Sequence, residues 1–366
     1  MLHNRKTSEG KSYQEKPPAG WLTLGIETSC DETAVSVVQD GRRVLSSVVA
    51  SQISEHQKFG GVVPEVASRQ HVETITQVID EALHQADKNL DDIHQIAVTY
   101  GPGLVGALLV GVAAGKALAY GRQLPLNGVN HIEGHLFANF IQSPDLEPPL
   151  LALIVSGGHT HLVKMIDYGN YKVLGKTRDD AAGEAFDKVA RVLGLGYPGG
   201  PLIDEAARRG NAGAIDFPRA TLEGNPWDFS FSGLKSAVLN HVNTEKMKGN
   251  PLIVEDVAAS FQQAVVDVLV EKTVNCAMVQ NMKQVVLSGG VAANTQLRES
   301  LAEACRENEL IFYVPEMDLC TDNGAMIACV GYYDYCLGIR SRWNLNAVAS
   351  LVIGERQEKW FFNELT

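Results

Sequence analysis

The chain has 366 residues, 45% of them hydrophobic and 20% charged, with a formal net charge of −12. That length allows two core-bearing lobes and exceeds one ordinary domain, and the balance is that of a globular protein. No apolar run reaches the roughly 20 residues that span a bilayer. The acidity argues against an autonomous grip on nucleic acid, because phosphate neutralisation supplies most non-specific affinity, so any such footprint must be a local basic patch or come from a partner.

Residues 1–20 are polar, hold Pro17 and Pro18, and lack the apolar stretch of a secretory signal. They read as a disordered leader. A first α/β lobe is expected over 21–147. It opens with a short apolar strand at 22–26, a polar turn at 27–33 and a second strand at 34–38. A helical pattern follows at 72–86. The apolar run 104–114 holds two glycines and is too short to span a membrane, so it reads as a buried helix.

A second α/β lobe is expected over 148–322. It opens in the same way, with a strand at 151–155, the turn Ser156-Gly157-Gly158-His159 and a strand at 160–166. Two strand–turn–strand hairpins at the heads of two halves point to related lobes with a cleft between them. Helical patterns at 182–193 and 256–278 alternate with the strands, which argues for largely buried sheets. Residues 285–294 read as strand, Gly-Gly turn and helix. An apolar helix over about 323–340 is expected to pack back on the first lobe, and the tail 341–366 carries no assigned role. The six cysteines form no CxxC pair, which suits a reducing cytosol better than a disulfide framework.

His131 and His135 lie four residues apart. On a helix they share one face, one turn apart, and can bind one metal ion together. The metalloprotease pattern HExxH needs a glutamate directly after the first histidine. Here that position is Ile132, and Glu133 sits about 200° around the helix from His131. Asp322 stands before the apolar helix, where its structural role would be an N-cap. As a third ligand it would complete a two-histidine, one-carboxylate set suited to Fe(II) or Zn(II). The amides of Gly289 and Gly290, if they open a helix, offer a site for a phosphate or a purine edge. The loop 196–201, with Asp204 just beyond, can close over a ribose or an amino acid. The stretch Phe229-Ser-Phe-Ser-Gly-Leu-Lys235 reads as a core edge rather than a nucleic-acid contact. Arg69, Arg178, Arg191, Arg208, Arg209 and Lys235 are candidate contacts to a nucleic acid.

Several motifs occur together in order: Gly-Ile-Glu-Thr-Ser-Cys-Asp-Glu-Thr (25–33), Gly-Gly-Val-Val-Pro-Glu-Val-Ala-Ser-Arg (60–69), Gly-Pro-Gly-Leu-Val-Gly (101–106) and Asn-His-Ile-Glu-Gly-His (130–135). They continue with Val-Ser-Gly-Gly-His-Thr (155–160), Asp-Lys-Val-Ala-Arg (187–191), Gly-Tyr-Pro-Gly-Gly-Pro (196–201), Phe-Ser-Gly-Leu-Lys (231–235), Ser-Gly-Gly-Val-Ala-Ala-Asn (288–294) and Asp-Asn-Gly-Ala-Met-Ile-Ala (322–328). Over residues 22–340 the chain resembles the tRNA N6-adenosine threonylcarbamoyltransferases, formerly catalogued as O-sialoglycoprotein endopeptidases, and within them the bacterial-type branch.

The resemblance implies a two-lobed actin/Hsp70/sugar-kinase (ASKHA) fold with a nucleotide cleft. It implies transfer of threonylcarbamoyl from threonylcarbamoyl-AMP to N6 of the adenosine next to the anticodon, in tRNAs that read codons beginning with adenine, with AMP released. By the same resemblance His131, His135 and Asp322 would hold one divalent metal. Val155, Ser156, Gly157, Gly158, His159, Asp187, Gly200 and Asn294 would line the adenylate site, joined by Asp204 from the loop reading. Asp31 would sit near the reacting centre, as base or as steering group. A paralogous inactive partner (TsaB-like), a small ATPase (TsaE-like) and a cytoplasmic location are implied too. The rival readings are the metalloprotease and an ATPase or sugar kinase on the same fold; the latter needs no histidine pair.

Overall fold

The computed structural model describes residues 17–356 and 360–361. Most of the expected leader therefore lies outside the described residues. The chain divides into two compact units: one comprises the chain up to Ser51, Pro64–Phe137 and the chain from Asn323, and the other comprises Gln52–Val63 and Ala138–Asp322.

Labels run in chain order. The first unit contains strands β1 (Leu22–Glu27), β2 (Glu32–Gln39) and β3 (Arg43–Ser51), then helix α2 (Pro64–Gln85), β4 (Gln95–Gly101), α3 (Val105–Arg122) and β5 (Leu126–Asn130). Helix α4 (His131–Gln142) starts in it, and α11 (Gly324–Cys336), β11 (Ile339–Arg340) and β12 (Trp360–Phe361) complete it. The second unit contains α1 (Ile53–Gln57), β6 (Leu150–Val155), β7 (Thr160–Asp167), β8 (Asn170–Lys176), α5 (Ala182–Val192), α6 (Gly199–Ala207), α7 (Ser232–Lys248) and α8 (Val254–Val279). It ends with β9 (Gln284–Ser288), a 3-10 turn at Gly290–Ala293, α9 (Thr295–Glu307), β10 (Ile311–Tyr313) and α10 (Met317–Cys320).

The two five-stranded sheets have one topology. Their orders are β3-β2-β1-β4-β5 and β10-β9-β6-β7-β8. In each, the opening strand pairs antiparallel with the next one in the chain and parallel with a later one: β1 with β2 and β4, and β6 with β7 and β9. The expected hairpins are present, and the duplicated lobe read from them is a real repeat of strand order.

The physical reason lies in the strands themselves. β1 and β6 are buried at every position, as a strand covered on both faces must be; β6 is wholly apolar, and β1 departs from that only at Thr23, Gly25 and the terminal Glu27. The edge strand β3 alternates between exposed and covered positions. One core packs Leu24, Ile26, Val35 and Ile96 against Ile75, Val78 and Ile79 of α2. The other packs Leu153, Leu162 and Leu287 against Phe186 of α5 and Phe261 and Val265 of α8.

Three expectations change in detail. The helix read at 72–86 starts at Pro64, where proline suits the first helical turn. The run read as a buried helix is α3, whose Ala107, Leu108 and Val112 are buried while Val105 and Leu109 are 48% and 43% exposed. Among the described residues it is the one helix long and apolar enough to cross a membrane; here its inner face lies on the first sheet, with Gly115 against Val98. The strand–Gly-Gly–helix at 285–294 holds a 3-10 turn after Gly289, and α9 begins only at Thr295 because Asn294 caps it.

Candidate metal centre and nucleotide-binding turn

The first candidate site belongs to the end of β5. Asn130 ends the strand, and its side chain accepts a hydrogen bond from the Ile132 amide at 2.9 Å, which starts α4. His131 and His135 then fall one turn apart on one face, 7% and 1% exposed. Their rings meet edge to face at 4.6 Å. Asp322 joins them, with one ligand atom from each of the three residues lying within 4.8 Å of the others. Asp322 does not cap the helix that follows: Asn323 does, accepting from the Met326 amide at 2.9 Å. The capping role weighed for Asp322 thus falls to its neighbour.

Behind His131 stands a carboxylate that the motif reading passes over. Glu27, fully buried at the end of β1, accepts from the Ser29 amide at 2.5 Å and from Thr99 Oγ1 at 2.6 Å. Its Oε2 lies 3.0 Å from His131 Nδ1, and Ser29 Oγ lies 3.1 Å from the same nitrogen. A carboxylate on Nδ1 fixes the imidazole's tautomer and orientation, and it points to Nε2 as the ligand atom. Two imidazoles and one carboxylate, one imidazole backed by a buried carboxylate, fit Zn(II) or Fe(II). The signal in the sequence was a single charge at the end of an otherwise uncharged strand. Glu133, by contrast, turns away: Arg356 grips both of its oxygens. A glutamate so engaged is not placed as the base of a metalloprotease.

Asp31 lies half-buried in the β1–β2 turn. That turn is pinned by His71, a fully buried side chain of α2. His71 Nε2 lies 3.0 Å from the Cys30 carbonyl and its Nδ1 lies 2.7 Å from Thr33 Oγ1, so the imidazole brackets Asp31. Nothing in the spacing of α2 singled out this histidine.

The second unit gathers the other expected residues at the carboxyl ends of β6 and β9, where open α/β sheets bind ligands. The turn 156–159 closes through the Ser156 amide on the His159 carbonyl at 2.8 Å. Ser156 Oγ accepts from the His159 amide at 3.2 Å. Gly157 and Gly158 are exposed, and nothing lies within 4 Å of where a Cβ would stand on either. Gly289 ends the neighbouring strand at φ +90°, and a Cβ there would come 2.4 Å from the Val155 carbonyl oxygen, so only glycine fits.

His159 stacks on His161, ring centroids 5.5 Å apart. Burial, helped by Lys176, lowers the His161 pKa from 6.5 to about 4, so this ring is neutral beneath His159 at pH 7.

Asp187, Gly200, Asp204 and Asn294 form one connected framework. Asp187 Oδ1 accepts from the Gly199 amide at 2.7 Å and so ties α5 to the start of α6, which also carries Gly200 and Asp204. Asp204 accepts from Thr295 Oγ1 at 3.1 Å, from Arg208 at 2.9 Å and from Asn294 Nδ2 at 3.3 Å. Asn294 also caps α9 and donates to Gln262 at 2.7 Å. These hydrogen bonds fix the backbone of α5, α6 and the start of α9 relative to one another.

The six basic candidates are all engaged: Arg69 with Glu65, Arg178 with Asp228, Arg208 with Asp204, Arg209 with Glu205, Lys235 with Asp180, and Arg191 with the Gly60 carbonyl. Burial alone would raise the Asp180 pKa, but hydrogen bonds from Lys188, Lys235 and Ser232 hold it near 2. Phe229 and Phe231 are buried and stacked, as the core-edge reading expected.

Residues 43–329 match the family model described as TsaD, tRNA N6-adenosine threonylcarbamoyltransferase. A protein of that name from Clostridioides difficile is 58% identical over 334 residues, covering 91% of this chain and 99% of its own. Its counterpart from Caldicellulosiruptor saccharolyticus is 57% identical, covering 92% and 100%. Among solved structures, HypF of T. kodakarensis superposes with a TM-score of 0.60 at 14% identity, over 87% of this chain and 48% of that one. Full-length HypF in a phosphate- and nucleotide-bound form gives 0.55 at 12% identity, over 86% and 46%. At these identities the structures speak for the fold alone, and it is the expected actin-like, sugar-kinase type.

Proposed function

We propose, for a chain that belongs to the tRNA N6-adenosine threonylcarbamoyltransferase family, that His131, His135 and Asp322 hold the divalent metal of its reaction. The chain transfers a threonylcarbamoyl group to N6 of adenosine in tRNA. The donor is threonylcarbamoyl-AMP, and the acceptor is the adenosine next to the anticodon in tRNAs reading codons that begin with adenine. The observation that supports the metal assignment is the convergence of the three ligand atoms within 4.8 Å, with His131 backed by buried Glu27.

The chemistry follows from the reactants. An adenine N6 amine is a weak nucleophile, and the adenylate carbonyl is activated by AMP as leaving group. The new C–N bond forms, the C–O bond to AMP breaks with its electron pair going to the phosphate, and the amine loses a proton. Alignment and stabilisation of charge on the carbonyl oxygen are the main tasks. When bound, the Fe(II) or Zn(II) ion supplies Lewis acidity and a fixed point of attachment.

The protein's own residues do the rest. Glu27 and Ser29 hold the His131 ring in one orientation. Asp31, its turn bracketed by His71, supplies the carboxylate that steers or takes the amine proton. The amides of Gly157, Gly158 and Gly290 hold the nucleotide part, at strand ends where glycine leaves the backbone open to a ligand. Val155, Ser156, His159, Asp187, Gly200, Asp204 and Asn294 line that site.

The tRNA is held with help. A chain of net charge −12 whose basic candidates are already paired needs positive surface from elsewhere. We assign it to a paralogous TsaB-like subunit and a small TsaE-like ATPase. A tRNA substrate, and six cysteines with no disulfide among the described residues, support a cytoplasmic location.

The test is a reconstituted reaction with tRNA, threonylcarbamoyl-AMP and the partner proteins, followed by nucleoside mass analysis. Wild type with Fe(II) or Zn(II) is expected to form threonylcarbamoyladenosine and His135→Ala to form none. A metal-free chain that retains full activity would sink the metal assignment; ATP turnover without tRNA product would favour the kinase-like reading.

A further inference from the structure

Outside the matched residues 43–329 lies a segment with a definite place against the metal helix. Residues 352–356 run along the first turn of α4 and hold it at two points that bracket His131. The Val352 carbonyl accepts from Asn130 Nδ2 at 3.0 Å, and Asn130 is the residue whose side chain starts the helix. On the other side, the Gly354 amide donates to Glu133 Oε1 at 3.1 Å. Arg356 then closes on Glu133 with both guanidinium nitrogens, one of them at 2.6 Å from Oε2.

The same guanidinium reaches Asp334 of α11, at 3.2 and 3.3 Å. Helix α11 is the one that Asp322 leads into. Arg356 therefore joins the helix that carries two of the candidate ligands to the helix that follows the third. The two helices already touch where Gly134 faces Ile327 and Met326, a Cβ on Gly134 being 2.9 Å from Ile327 Cδ1.

Orientation gives this contact its leverage. Glu133 lies about 200° around α4 from His131, so Arg356 grips the face opposite the histidines. Rotation of the helix about its axis would swing the histidines and drag Glu133 from its partner. The grip is also rigid: the Arg356 side chain is 6% exposed, and those of Glu133 and Asp334 are 0% and 4%. Arginine's planar fork suits the task, because it can hold one carboxylate with two bonds and still reach another.

We propose that Arg356 is a positioning residue for the metal centre, setting the rotation of α4 so that His131 and His135 present their ligand nitrogens together. This rests on the metal reading given above, and the family's common motifs do not contain it.

The experiment uses the full chain and Zn(II), with affinity read by competition against a chromophoric chelator. His135→Ala serves as the variant without a site. Arg356→Ala is expected to bind Zn(II) at least about tenfold more weakly than wild type, the range seen when a group orienting a ligand is lost. Arg356→Lys keeps the charge without the fork and should lose about threefold. Leu269→Ala, a core truncation in the second unit, lowers the melting temperature and should leave Zn(II) affinity unchanged.

Wild-type affinity in both Arg356 variants overturns the proposal. So does an equal loss in Leu269→Ala, which would make the effect one of general stability. If Arg356→Ala does not fold, Arg356→Lys alone decides: about threefold weaker supports it and equal affinity overturns it. If wild type itself binds no Zn(II), the metal reading has failed rather than this one. Amide exchange over 131–137 in the metal-free chain then tests Arg356 directly, with faster exchange in Arg356→Lys expected and an unchanged rate contrary.

Discussion

The two units repeat one sheet, and their opening strands end on different residues. β1 ends on Glu27 and β6 on Val155. From Glu27 onward the first turn carries Thr28, Ser29, Cys30 and Asp31, and it orients His131 through side chains. The second turn carries Ser156, two bare glycines and His159, and it offers backbone. Each opening strand lies between an antiparallel and a parallel neighbour. The same topology thus presents polar side chains at the end of one opening strand and bare backbone at the end of the other. The chemistry is set by what stands at the strand ends, and the fold only determines where those ends lie.

Substitutions can break this contrast, and the largest effect is expected in the first unit. His135→Ala should remove the bound metal and lower transfer on the order of a thousandfold or more, read by metal analysis and product formation on the same preparation. Glu27→Gln comes next. It keeps the size and loses the charge behind His131, and metal affinity should fall roughly 10- to 100-fold with the melting temperature moving much less. If Glu27→Gln bound metal as tightly as wild type, the first turn would be a structural hairpin and the contrast would disappear.

In the second unit the effects should separate along the backbone. Gly289→Ala meets both a left-handed φ and the Val155 carbonyl, and should cost about 1–3 kcal/mol in denaturant unfolding. Gly158→Ala meets nothing in the protein, so its stability should stay within about 0.5 kcal/mol of wild type. A drop in its kcat/KM, with stability unchanged, would mean that the ligand itself approaches this backbone; unchanged kcat/KM would argue against an amide site.

The smallest effect concerns pH. The folded-state pKa of His161 lies near 4 against 6.5 for the free side chain, so the unfolded chain takes up a proton first as pH falls. Stability should drop between pH 6.5 and 4, by up to about 3 kcal/mol from this group. His161→Gln should show a shallower drop in unfolding experiments across that window, and an identical slope would remove the buried neutral ring from the account.

The sequence made some of this legible and hid the rest for physical reasons. Strands at 22–26 and 151–155 are readable because a doubly covered strand must carry no charge along its run and be mostly apolar. His131 and His135 were readable because their spacing is that of a helical turn. Glu27 was hidden because a carboxylate at the end of a strand reads as the first residue of a polar turn, and its burial depends on Thr99 and His131, distant in sequence. The start of α9 is hidden because Gly-Gly-Val-Ala-Ala resembles a helix opening, whereas the cap on the Leu297 amide is Asn294. The two faces of α3 were blurred because apolar residues line both. Arg356 gave no signal at all, since a single arginine in an aperiodic tail acquires meaning only when Glu133 and Asp334 stand beside it.

The most direct test of the central claim is nucleoside mass analysis of total tRNA from cells depleted of this chain and rescued with wild type, His135→Ala or Asp322→Ala. The expected result is loss of threonylcarbamoyladenosine on depletion, with recovery by wild type alone. Persistence of the nucleoside after depletion, or full recovery with either variant, would contradict the account.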